Sequence, residues 1–450
     1  MRGLSGAALM LALAVRAAAG LPATAENGTL RLTVAAVRAA PKYGDTEAPA
    51  GRQWFVVSSR WENKIDAKRA AERDLAAAVD VGGLAAHLYL VVDGASLGRL
   101  QGGMEDAQGR PVIDAVQLAQ PGAARTGDLV FDIPAGAPTS VELRYYEDFA
   151  GNMALSLVGT PPAAKAPVAI VRNPVGEFAL FGVADPAPGV AAPPGSRAVT
   201  VELRARSVWK TVGPAPAYDF SQPVGATSEH INLLDWPGAR SSFVVISDGE
   251  YACAAEPAGT LPDDARFLPE FFTGGSLVFF VPAAAQSLEL VGTLGHAATE
   301  AGTLDFPPVK LPVRGAAKAK PAVWTMPLKL TDEMFRVAVG ARCVASFAGE
   351  AAGEGQVFVV LDVGVENTGG GDEYFQPVEQ LQLVDAEGGL ITCDEVTARG
   401  PHRPMNQLYV PAGARRRFEL VFRVATGASL KLNFRGGSFE AQHALPEAKS

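Results

Sequence analysis

Leu129-Val130-Phe131-Asp132-Ile133-Pro134-Ala135-Gly136 returns as Leu277-Val278-Phe279-Phe280-Val281-Pro282-Ala283-Ala284, and again as Leu420-Val421-Phe422-Arg423-Val424-Ala425-Thr426-Gly427. Phe131 and Phe279 stand 148 positions apart, Phe279 and Phe422 143, a period close to the size of one domain. Each phrase leads through a few turn residues into a second alternating stretch, at 140–146, 287–293 and 429–435. Upstream, strand-like stretches keep one order: 30–37, 177–183 and 335–344, then 53–63, 198–209 and 356–367, then 87–93, 242–248 and 380–385. In 356–367, Val357, Val359, Leu361, Val363 and Val365 point one way and Asp362, Gly364 and Glu366 the other, the period of a strand buried on one face. Asp93-Gly94, Asp248-Gly249 and Asp385-Ala386-Glu387-Gly388 end the last group of strands. These are hairpin residues, because glycine accepts positive φ. The pattern predicts an all-β chain of three tandem immunoglobulin-like antiparallel β-sandwich domains. A helix-like insertion at 66–79, carrying Lys68, Arg69, Glu72, Arg73 and Asp74, interrupts the first.

Across the whole chain, the 450 residues are 48% hydrophobic and 19% charged, with 48 Gly and 33 Pro, which excludes whole-chain disorder and favours strands and turns. A formal charge of -9 argues against nucleic acid as partner, since that affinity comes mostly from Lys and Arg. Residues 1–25 read as an export signal: Arg2, an apolar run over 4–15, then Ala23-Thr24-Ala25 as a small-residue cleavage site that leaves Glu26 first. The run is too short to span a bilayer, and no later stretch is long enough. The expectation is therefore an exported, periplasmic or extracellular chain with no transmembrane segment after signal cleavage. Expected boundaries are 26–160 and 161–305 for the first two sandwiches, a Pro-rich linker over 306–327, a third sandwich over 328–437 and a flexible tail over 438–450. Pro161, Pro162 and Pro167, like Pro307, Pro308, Pro312, Pro321 and Pro327, suggest semi-rigid spacers and an extended string of domains.

The run from Val357 to Gly369, followed by Leu383-Val384-Asp385-Ala386-Glu387-Gly388 and by Val410-Pro411-Ala412-Gly413 before Leu420-Val421-Phe422, resembles a family of bacterial secreted immunoglobulin-like domains. That family includes the mycobacterial immunoprotective secreted antigen and its relatives. The resemblance covers most of the third copy. It implies the fold and an extracytoplasmic location and carries no catalytic residue across. The insertion in the first copy and the Pro-containing loop at 213–223 depart from it.

Motifs for chemistry are sparse. Gly94-Ala95-Ser96-Leu97-Gly98 spells a nucleophile elbow, but no helical stretch follows, so a hairpin is the better reading. His87, His230, His296, His402 and His443 are scattered, without zinc, haem or calcium spacing. A metal shared by Cys393 and His402 is a remote alternative, and no cofactor is expected. Among Cys253, Cys343 and Cys393, Cys343 and Cys393 are the candidate disulfide, with three small buried hydrophobes the equal alternative. Arg415-Arg416-Arg417 is the densest basic cluster, a candidate partner contact or, more simply, a solvated strand edge. Trp54, Trp61, Trp209, Trp236 and Trp324 offer either a glycan-stacking face or core aromatics, the latter favoured. The function expected is non-enzymatic: binding or structural support of a protein or cell-envelope partner. A hydrolase with an interdomain active site and a carbohydrate or small-ligand binder are the alternatives.

Overall fold

The computed structural model describes residues 20–68, 77–146, 152–160, 163, 165–173, 176–208, 234–236, 239–263, 265–268, 271–292, 296–299, 302–305, 308–315, 326–436 and 439–445. Most of the helix-like 66–79 stretch and the whole of loop 213–223 lie outside these residues. The described chain is mostly strand, arranged in several sheets.

The first strand set comprises β1 (Ala23–Glu26), β2 (Leu30–Ala40), β3 (Arg52–Asn63), β4 (Leu88–Val92), β5 (Ser96–Leu100), β6 (Ala124–Pro134), β7 (Val141–Tyr145) and β8 (Met153–Val158). Their spatial order is β1-β2-β3-β6-β5-β4-β7-β8. The next eight are β9 (Ala169–Arg172), β10 (Gly176–Ala184), β11 (Ser196–Ser207), β12 (Phe243–Ser247), β13 (Tyr251–Glu256), β14 (Thr273–Pro282), β15 (Leu288–Gly292) and β16 (Val309–Arg314). They pair in the corresponding order, β9-β10-β11-β14-β13-β12-β15-β16. The last eight are β17 (Leu328–Thr331), β18 (Phe335–Val344), β19 (Gln356–Asn367), β20 (Leu381–Val384), β21 (Leu390–Ile391), β22 (Arg415–Ala425), β23 (Lys431–Gly436) and β24 (Phe439–Ala444). Here β17-β18-β19-β22 and β21-β20-β23-β24 stay separate layers.

Alternation builds each core. Phe55, Val57, Trp61 and Phe131 join Leu88, Leu90, Leu143 and Tyr145 in one buried cluster. Val199, Val201 and Phe279 join Phe243, Val245 and Leu290 in a second. Val359, Leu361, Phe418 and Phe422 join Leu381, Leu383, Leu432 and Phe434 in a third. Each fully buried Phe or Leu contributes about 1.5–3 kcal/mol. The recurring phrase is central because its phenylalanine belongs to the buried cluster of each set. Its valine faces the other way, and in the first and last sets that face is also covered: Val130 lies with Trp54 and Tyr43, Val421 with Phe358 and Val396.

Buried amides fix the ends of β3 and β19. Asn63 Nδ2 donates to Ala77 O at 2.8 Å and Leu118 O at 3.3 Å, and Asn367 Nδ2 donates to Gly371 O and Val410 O, both at 2.8 Å. Each holds a short ribbon, Val79–Val81 with Val116–Leu118 and Glu373–Phe375 with Leu408–Val410. The expected Asp-Gly turns form. Asp93 and Gly94 have φ of 51° and 66°, Asp248 and Gly249 of 49° and 77°. Their aspartates also accept backbone N–H bonds across the turn end, from Thr139 and Ser140 and from Gln286 and Ser287.

Several expectations need correction. The linker placed at 306–327 contains β16, paired with β15 and burying Val309 and Leu311; Pro312 is tolerated because β16 is an edge strand. The tail placed at 438–450 contains β24, paired with β23 through residue 444. Residues 23–25, assigned to the signal, form β1 together with Glu26. The strand sets are not separated by spacers alone, since consecutive sets make direct contacts.

Candidate functional site

The two junctions between strand sets are built alike. At the first, the backbone N–H of Gly274 donates to Ala95 O at 3.0 Å; at the second, that of Arg417 donates to Glu250 O at 3.0 Å. Ala95 and Glu250 each follow the Asp-Gly turn, while Gly274 and Arg417 each stand five residues before the phenylalanine of the recurring phrase. One hairpin tip of each set therefore meets the start of one strand of the next. A Cβ on Gly274 would lie 2.2 Å from Leu203 O, so β14 requires glycine there. Around the first tip, Tyr89, Val91, Tyr146 and Leu268 are buried together. Arg144 lies 4.6 Å over the Phe271 ring, and Arg266 Nη1 donates to Ala85 O at 3.0 Å.

The second junction concentrates the titratable groups. β13 and β22 pair in parallel at Tyr251 and Arg417, joining the second and third sets in one 12-stranded sheet. Ile246, Ala252 and Val291 of the second set belong to the third hydrophobic cluster. Arg417 donates through Nε at 2.8 Å and Nη2 at 2.5 Å to Asp362, and its guanidinium lies 5.6 Å from the Tyr251 ring centre. His402 stacks on the same tyrosine, with ring centres 4.2 Å apart. Arg342 donates to Glu419 at 2.7 Å, and Arg403 pairs with Glu256 while covering Phe280. Burial pushes the His402 imidazole below its usual range, against the pull of Glu419 and Asp362. Burial likewise drives the Tyr251 hydroxyl up to about 12, against Arg417. The hydrogen bond to Asp362 raises Arg417 above its ordinary value and keeps it protonated. Three carboxylates are thus matched by three guanidiniums, and a packed ring favours the neutral imidazole. Of these pairs Arg403–Glu256 bridges the second and third sets, while Arg417–Asp362 and Arg342–Glu419 join strands within the third.

The sequence-selected residues fall as follows. Arg415 donates to Glu366 at 3.3 Å and Arg417 is spent on Asp362. Arg416 is buried, donates to Arg415 O at 2.8 Å, and burial lowers it to about 10. The triplet is therefore not a solvated edge, because β13 lies alongside β22. All three cysteines are free. The candidate Cys343–Cys393 bridge is not formed: Cys343 pairs with Val359 on β19, whereas Cys393 Sγ contacts Val421 O on β22, the next strand over. Burial raises the Cys253 thiol to about 12 and also raises Cys393. Cys393 Sγ lies 3.0 Å from Thr397 Oγ1, while His402 rests on Tyr251. Among the described residues no three His, Cys, Asp or Glu side chains converge as metal ligands. Ser96 begins β5 and pairs with Val92, a hairpin and not an elbow. Trp54 and Trp61 are buried; the side chains of Trp209, Trp236 and Trp324 lie outside the described residues. Tyr374 is exposed and lies 5.5 Å from the Tyr409 ring, but the two are inclined by 49° and the Tyr409 hydroxyl is bound to Asp372. A flat stacking platform for sugar rings would need them coplanar.

Sequence reasoning did not single out Tyr251, Asp362 or Glu419 as a group. The available signal was the alignment of Gly274 with Arg417 relative to the recurring phrase, read together with the Asp-Gly turns.

No protein-family model matches the chain, and no curated protein matches it. Two solved structures are similar over a part. A conserved hypothetical protein from Bacillus anthracis aligns at 15% identity and a TM-score of 0.21, covering 26% of this chain and 91% of that one. An uncharacterized β-sandwich protein from Clostridium difficile 630 aligns at 12% identity and a TM-score of 0.20, covering 30% and 89%.

Proposed function

We propose that the chain is an exported, non-enzymatic scaffold of three tandem immunoglobulin-like sandwiches that holds its loops at fixed spacings for a protein or cell-envelope partner. The observation that carries this reading is the repeated junction, with one backbone bond of 3.0 Å at equivalent positions in both. An interdomain active site needs a cleft that admits substrate and a group free to take or give a proton. At the second junction the corresponding space is filled by Tyr251 and His402, and Asp362, Glu419 and Glu256 are each ion-paired. Loops on rigid strands are where recognition residues are carried, and the formal charge of -9 favours a partner other than nucleic acid.

Small-angle X-ray scattering on the purified chain, together with a panel of ester, glycoside and peptide substrates, tests the reading. One rigid arrangement fitting the scattering curve, without turnover, is the expected result. Independently moving units, or turnover abolished by a folded His402→Phe variant, would overturn it.

A further inference from the structure

We infer that the export signal is removed by hydrolysis of the Ala19–Gly20 peptide bond, so that the mature chain begins at Gly20 and keeps β1. The inference rests on the export reading above and moves the processing site upstream of Ala23-Thr24-Ala25.

β1 is a working part of the first sandwich. Its four residues pair antiparallel with β2, from Ala23 with Val34 to Glu26 with Arg31. Glu26 and Arg31 form an ion pair at 2.9 Å, and Thr24 and Thr33 share a hydroxyl hydrogen bond at 3.1 Å. Leu21, Ala23 and Ala25 pack against the first hydrophobic cluster, and β1 also lies against β8, closing that side of the set. Cutting after Ala25 would remove all of these except Glu26 and leave the β2 backbone as a bare edge, an opening for pairing with other chains.

The other two sets show that the edge strand belongs to the repeat. β9 pairs with β10 and β17 with β18, each at the same place in the spatial order as β1 beside β2. The turns into the second strand are also equivalent. Asn27 N donates to Leu30 O at 2.9 Å, Asn173 N to Gly176 O at 3.0 Å and Asp332 N to Phe335 O at 2.9 Å. In each, the side-chain oxygen of that Asn or Asp accepts the N–H of the residue three positions on. A strand built three times in one way is not expendable leader sequence.

Processing by a signal peptidase needs small residues at the first and third positions before the scissile bond. Ala17-Ala18-Ala19 supplies them directly upstream of Gly20 and four residues beyond the apolar run ending at Val15. Water adds its hydroxyl to the Ala19 carbonyl carbon as the C–N bond breaks, and the proton goes to the new Gly20 amine.

The full chain is expressed in a Gram-negative host, and the intact mass and N-terminal residue of the periplasmic product are measured. A start at Gly20 is expected, with that product lost in Ala19→Tyr, a change upstream of every contact made by β1. A start at Glu26 overturns the site while leaving export standing; full-length protein confined to the cytosol overturns export and the site together. Independently, a chain made without any signal and starting at Glu26 is expected to melt several degrees below one starting at Gly20. Equal melting would remove the structural ground for the inference.

Discussion

Arg417→Met tests whether the second junction depends on the ion pair that seats Arg417 over Tyr251. Arg417 makes two bonds to one carboxylate and covers the Tyr251 ring. Charge-assisted bonds are worth about 1.5–3 kcal/mol each when well buried. Here the side chains of Arg417 and Asp362 keep 28% and 24% of their exposure, so screening brings the pair to about 2 kcal/mol, with about 0.5–1 kcal/mol from the ring contact. Asp362→Leu alone leaves the arginine without its carboxylate, and the double variant Arg417→Met/Asp362→Leu removes both charges. The double variant is expected to lie within about 1 kcal/mol of the parent, because exchanging both partners for apolar groups avoids an orphaned charge. Global melting reports the unfolding of the cores and not the contacts between them. Hydrogen exchange of amides in 250–256 and 415–420 reports the junction itself, and a loss of about 2 kcal/mol there appears as roughly 30-fold faster exchange. Single-variant effects that simply add in the double, or equal acceleration in 88–100, would refute the argument.

Asn367→Ala removes both donors that hold the 373–375 and 408–410 ribbon and orphans two carbonyls, so about 1–3 kcal/mol of stability should be lost in urea unfolding. His402 is depressed below 6.5 in the folded chain; its contribution is fully present above that value and is lost as pH falls through the lower folded value. Protection of the junction amides, measured against the intrinsic exchange rate at each pH, should fall on acidification from pH 7, and His402→Phe, which retains a ring over Tyr251, should flatten that response. In denaturant without reductant, all three thiols should react with a thiol reagent, whereas native Cys253 should stay protected; fewer than three would reveal a bridge.

Pattern alone made β18 and β19 legible to the residue: apolar side chains at every second position, Phe335, Val337 and Val339 and then Val359, Leu361, Val363 and Val365, face one core, and a slip of one residue would turn them away from it. β16 was hidden by Pro312, which reads as linker chemistry although an edge strand accommodates it, and β24 was hidden by its short, mixed sequence. The Asp-Gly turns were legible because their chemistry is local. The junction was not: Tyr251 is far in the chain from His402 and Arg417, and what unites them is the packing of one strand set against the next. Arg415-Arg416-Arg417 shows the same limit. A basic run beside a turn signals solvent only when its strand is an edge, and the neighbour that removes the edge comes from a different strand set.

The repeated junction also bears on whether copies of the chain dock on one another. The outer surface of a set is apolar where another set docks on it: Tyr89 and Val91 face the second set, Ile246 and Val291 the third. At equivalent places the last set carries Gln382, Val384 and Asn433, of which Val384 and Asn433 are already buried, flanked by exposed Lys431 and Arg435. The receiving loop shows the complementary change. Leu268 and Phe271 of the second set are replaced in the first by Gln120 and Ala123. Head-to-tail contacts of this kind do not close on themselves, so a chain with matching apolar ends would polymerise into open filaments. A face that is already covered or flanked by charge on the last set, and small or polar residues in the receiving loop of the first, leave the two surfaces unmatched for such docking. The chain should therefore remain monomeric by light scattering across a wide concentration range. Linear polymers growing with concentration would mean that the end surfaces still dock despite the mismatch.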